Sequence, residues 1–89
     1  MADWRDDIDA LAFRPAGHRG FCMVHRLALR TVIGRPPSPA ECLDYFAANQ
    51  PMFEAAAQAR IAQAGLAPDA NFHLTSRNLS PGSPAPDNF

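Results

Sequence analysis

Apolar positions fall in short clusters along this chain, and their spacing changes from one cluster to the next. Leu11-Ala12-Phe13 is a run of strand length, and Pro15 stops it. Phe21-Cys22-Met23-Val24 is a second such run. Between them lies Ala16-Gly17-His18-Arg19-Gly20, whose two glycines suit a turn. The pattern predicts an antiparallel hairpin from residues 10–14 and 20–25. From Arg26 the rhythm becomes Leu27, Leu29, Val32-Ile33, closing on Gly34 with Pro36-Pro37 beyond. A glycine after the last apolar position, with prolines following, is a helix stop, so a two-turn helix is expected over 26–33.

Ser38-Pro39-Ala40-Glu41 is the sharpest local signal. A serine cap, proline at the first helical position and glutamate at the third form a capping box. The stripe that follows, Leu43, Phe46, Phe53, Ala57, Ile61 and Ala64, keeps one helical face as far as Gly65. Pro51 interrupts it and must kink or restart the helix near Asn49-Gln50. Because the stripe stays in phase across the proline, one bent helical element over 39–64 is expected. Asn71 to Ser76 alternates polar and apolar and predicts a half-buried strand with Phe72 and Leu74 inward. Residues 1–9 read as a polar leader, 10–77 as a single domain, and 78–89, with three prolines, two serines and a glycine, as a disordered tail. The expected fold is α+β: a β-hairpin and a C-terminal strand packed on a short helix and a long proline-kinked one.

Composition sets the scale. Of 89 residues 47% are hydrophobic, but 17 are alanine, so the bulk available to a core suffices for one small domain. All eight basic residues are arginine, which with the alanine and proline content points to a GC-rich bacterial genome. The net charge of −1 gives no global attraction to nucleic acid or anionic lipid. The local distribution is uneven: Asp3, Asp6, Asp7 and Asp9 crowd the start, whereas Arg14, Arg19, Arg26, Arg30 and Arg35 occupy a stretch without any acid. The acidic start is unlike a secretory signal, and no apolar run is long enough to span a bilayer. A cytoplasmic location is expected, with Cys22 and Cys42 as thiols.

Chemistry-bearing residues are few. His18, Cys22, His25 and Cys42 supply a zinc-type donor set, but their spacing is wrong, since Cys22 and His25 point to opposite faces of a strand. Two buried thiols and two surface imidazoles are the plainer expectation. Cys42 lies in the first turn of the capped helix, where a thiol can be activated, yet it also sits on the apolar stripe. Phosphate-binding glycine loops, nucleophile elbows and paired carboxylates do not occur. No catalytic residue, metal or cofactor is therefore expected.

The order Phe13, Gly20, Cys22, Val24, Leu29, Gly34, then Leu43, Phe46, Asn49, Phe53-Glu54-Ala55 and Leu74-Thr75-Ser76 resembles the bacterial family known as domain of unknown function 1488. The resemblance covers about residues 10 to 79 and rests on core and turn positions. Pro51, the proline-rich tail, and Gln50 where the family tends to carry a basic residue are departures. It implies a hairpin and terminal strand packed on helices, and it brings no activity with it.

The functional expectation is a non-enzymatic protein-interaction module. Its contact, a protein partner or a second copy, is expected through the outward sheet face offered by Phe21, Met23, His73 and Thr75. The alternative is a weak nucleic-acid-associated regulator contacting phosphates through Arg14, Arg19, Arg26, Arg30 and Arg35.

Overall fold

The computed structural model describes residues 2–79. Along them run strands β1 (Ala2–Arg5), β2 (Ala10–Phe13) and β3 (Cys22–His25), then helices α1 (Arg26–Ile33), α2 (Pro39–Ala48) and α3 (Gln50–Ala64), then β4 (Phe72–Leu74) and the single-turn helix α4 (Ser76–Leu79). The strands make one sheet in the order β1-β2-β3-β4. The first three are antiparallel, with Phe13 opposite Cys22 in the expected hairpin, and β4 joins β3 in parallel. The chain forms an α+β domain.

Alternation along the strands builds the core. Leu11, Phe13, Cys22, Val24, Phe72 and Leu74 point to one face, where they meet Leu29 of α1, Cys42 and Phe46 of α2, Phe53 and Ala57 of α3 and Leu79 of α4. Phe13, Phe46 and Phe53 form its centre, with ring centroids 5.0 to 6.2 Å apart in tilted and edge-on geometries. All four helices therefore lie on one side of the sheet.

The helix signals translate directly. α1 ends at Gly34, whose φ of 94° is the left-handed stop a glycine takes without strain. At α2 the Ser38 hydroxyl oxygen accepts from the Glu41 amide (3.1 Å), and the Glu41 carboxylate accepts from the Ser38 amide (2.8 Å). Arg35 also pairs with Glu41 at 2.7 Å, and this guanidinium, seconded by the Ser38 amide, draws the carboxyl down to about 2.

Three expectations are corrected. The supposed polar leader is strand β1: Ala2 and Trp4 pack against the core while Asp3 and Arg5 face outward, a period of two beneath an acidic composition. The expected single bent helix is two helices separated at Asn49. Asn49 caps both, donating its amide to Phe46 O and accepting at its own carbonyl from Met52 N. Pro51 has no N–H to continue α2, so the chain restarts, and Phe46 and Phe53 remain on a common face. The domain also extends past residue 77, because Asn78 and Leu79 complete α4 and Leu79 is buried. Of the expected disordered tail, residues 80–89 lie outside the described residues.

The parallel β3–β4 join depends on a seam between the loops that precede the two strands. Arg19 N donates to Pro68 O (2.7 Å), Phe21 N to the Asn71 side-chain oxygen (2.8 Å) and Phe72 N to Phe21 O (3.0 Å). A Cβ at Gly20 would overlap the Ala70 carbonyl, so only glycine allows this approach. Gly20→Ala is expected to cost about 3 kcal/mol or more, because backbone rather than a flexible side chain must yield. Gly17→Ala, in open space at a φ of 72°, should cost about 1 kcal/mol. Urea denaturation of the two variants checks the contrast.

Candidate functional site

On the sheet face away from the helices, Asp3 and Arg5 of β1, Ala10 and Ala12 of β2, Met23 and His25 of β3 and His73 of β4 follow from the same alternation. A small second cluster sits there: Ala10, Ala12 and Met23, with Ile8 from the β1–β2 turn folded against them. No helix residue belongs to it. Met23, expected to offer an outward apolar contact, is only 7% exposed and packs against its own sheet instead.

The other face residues stay accessible. Phe21 is 38% exposed, and the Arg14 guanidinium lies 4.7 Å above its ring, a cation–π pair at one end of the hairpin. At the other end His25 and His73 stack, with centroids 4.8 Å apart and planes 5° from parallel. Thr75 follows β4, and its amide and hydroxyl both donate to the Asn78 side-chain oxygen. Around the edge from His25 lies Leu27, 71% exposed on α1. It lines a shallow groove with His25, Ala28, Leu74 and Thr75. Sequence reasoning missed Leu27 because it fits the apolar rhythm of α1, and only its position at the outer edge of that helix exposes it.

The five candidate arginines do not form one stripe. Arg26 clasps Asp9 through Nε, 3.0 Å from each carboxylate oxygen, while its amide donates to Asp9 O (2.9 Å). Arg35 is held by Glu41. Arg30 lines a cleft with Asp9, Arg26 and Pro37. Arg14 lies beyond the opposite end of the hairpin from Arg26, about 17 Å away along the strands at about 3.3 Å per residue. Arg19 is exposed in the loop that joins the seam.

The metal-type donors are also dispersed. His18, expected at the surface, is buried: its Nε2–H donates to Ala70 O (2.7 Å), and its ring stands edge-on to Phe72. It is a loop anchor. The same loop is clamped on its other side by α3. Ala16 N donates to a Glu54 carboxylate oxygen (2.9 Å), and Gln58 Nε2 donates to Ala16 O (2.8 Å). Cys22 and Cys42 are both fully buried and free. Burial pushes the Cys22 thiol up to about 12, and it raises Cys42 as well, despite the nearby Arg26. Neither thiol is primed as a nucleophile.

Cys22 should leave a signature at alkaline pH. An unfolded Cys22 ionises near 9, and the folded one only near 12. Between those values the folded state retains the proton, so stability falls as pH rises, by up to about 1.4 kcal/mol per pH unit. Denaturation midpoints measured from pH 8 upward should fall less steeply in Cys22→Ala than in the wild type. Compared with family models, curated proteins and solved structures, the chain matches none, so the site rests on its geometry.

Proposed function

We propose that the protein is a small, non-enzymatic protein-interaction module of the cytoplasm, presenting the helix-free side of its sheet to a protein partner. The observation that carries this reading is one-sided packing. Every helix is committed to the same sheet face, and the other side keeps Phe21, His73 and Thr75 accessible, with Leu27 at its margin. An accessible aromatic ring under a guanidinium, on the same sheet face as a stacked pair of imidazoles, suits a protein contact, where aromatic residues and arginine are enriched. The sealed thiols and the hydrogen-bonded His18 support a non-catalytic role.

The phosphate-binding alternative draws less support, because Arg26 and Arg35 already neutralise Asp9 and Glu41, and Arg14 lies at the far end of the hairpin. Affinity capture from native cytoplasm separates the two readings, using wild type and Phe21→Glu with and without nuclease. A protein contact should survive nuclease, persist between about 50 and about 300 mM salt, and be lost in Phe21→Glu. Capture that vanishes with nuclease, or decays steeply over that salt range, would instead favour the arginines. Thermal melts of the variant establish that it remains folded.

A further inference from the structure

β1 is an edge strand: it pairs with β2 on one side only, and the one further main-chain bond it makes among the described residues is the turn bond that Arg5 O accepts from Ile8 N (3.3 Å). Its sequence has a symmetry that matters at an edge. Asp3, Trp4 and Arg5 place an acid and a base on the outer face, on either side of a residue that faces the helices. Laid antiparallel against a second copy about a two-fold axis at Trp4, each Asp3 falls opposite Arg5 of the partner subunit, and the two Trp4 residues meet. Directly opposed side chains in such a pair are about 5 Å apart at Cβ, close enough for ion pairing. A shift of two residues either way sets Asp3 against Asp3 or Arg5 against Arg5. A parallel arrangement sets like against like throughout. Only one register is doubly attractive.

We infer that β1 is the contact of a symmetric homodimer, in which two four-stranded sheets join edge to edge through Asp3, Trp4 and Arg5 and their copies. Two further features fit that occupant. Among the described residues no cation lies within ion-pair distance of Asp3, so its carboxylate is free to take one. Arg5 uses Nε and one Nη to hold Asp7, at 3.0 and 2.7 Å, and keeps three of its five N–H donors for a second carboxylate. On the helix side of the same edge is an open groove of about 450 Å³ lined by Ala2, Leu43, Phe46, Ala47 and Gln50. Trp4 of the partner subunit would arrive beside it. Ala47 is small and exposed, which lets the two α2 helices approach across the axis.

The assembly uses the sheet's edge and goes beyond the face contact proposed above. Phe21→Glu leaves it unchanged, so either proposal can fail without the other. Sedimentation equilibrium from about 1 to about 200 μM tests it, because an interface this small belongs in the micromolar range. The wild type should move from 9.7 kDa towards twice that mass. Asp3→Arg and Arg5→Asp each create two like-charge oppositions and should raise the half-dissociation concentration at least about tenfold. The double variant carrying both restores the complementary pattern in reverse and should return to within about threefold of wild type. Hydrogen exchange at residues 2–5 should slow as wild-type concentration rises. A wild type that stays monomeric overturns the inference. So does a dimer indifferent to the single reversals, a double variant as weak as the singles, or exchange in β1 that ignores concentration. Both substituted side chains are exposed, and far-UV circular dichroism verifies that each variant is folded.

Discussion

The sheet closes because Gly20 has no side chain. Without that close approach to the Ala70 carbonyl, the loop before β3 and the loop before β4 could not share their amides and carbonyls, and β4 would have no route to its place. The seam is cooperative. Arg19, Phe21 and Phe72 hydrogen-bond across it through the backbone, Asn71 adds a side-chain oxygen, and the buried His18 ring spans the gap to Ala70. Groups some 50 residues apart in sequence are thereby satisfied in one place, a condition for burying that backbone. Glu54 and Gln58 brace the same loop from α3, so the helical layer and the sheet are referenced to a common point.

From that join the one-sided architecture follows. Parallel neighbours need a long crossover, and everything between β3 and β4, namely α1, α2 and α3, belongs to it. The crossover returns along one face only. α4 then tucks Leu79 under the same layer. No chain within the described residues remains to cover the second face, and the residue types there agree: Ala10 and Ala12 are so small that Met23 and Ile8 hide them without a helix. At about 25 cal/mol per Å² of exposed apolar area, an alanine-floored face costs the monomer little. The domain can therefore remain open on one side without a partner and still present Phe21 and the stacked histidines.

What could be read from the sequence was local. The capping box at Ser38, the stop at Gly34, the two runs of the hairpin and the inward Phe72 and Leu74 each depend on residues within a few positions, and each is where the pattern puts it. What escaped was either short or non-local. β1 has only four residues, and its alternation lies within an acidic segment whose composition pointed to solvent. The break at Asn49 was obscured by the apolar stripe, which stays in phase because both helices serve one core. At the candidate site, the outward placement of Phe21, His73 and Thr75 followed from strand alternation, whereas the burial of Met23 depended on the alanines opposite it. The basic stretch was legible as a run, but Asp9 lies 17 positions from Arg26, so no local reading could show that charge already matched.

The charges reveal a pattern that spacing alone concealed. Asp9 takes the only positive φ of any non-glycine described residue, 52°, and in that strained turn it accepts from Arg26 with both carboxylate and main-chain oxygens. The turn between β1 and β2 is thus tied to the first residue of α1, as Arg35 is tied to the capping glutamate of α2. These pairs are exposed and each contributes little to stability. Their effect is on geometry: they tie strand turn to helix and helix to helix, and they match the charge of two of the five arginines in the basic stretch. The acids at the start of the chain have the matching role. Asp7 and Asp9 are engaged within the subunit, whereas among the described residues neither Asp6 nor Asp3, on the free edge, has a cation within ion-pair distance. Among the described residues only three acid–arginine pairs form, so Asp3 is one of several charges without an ion-pair partner, and it is its place on the open strand that suits it to recognition across that edge.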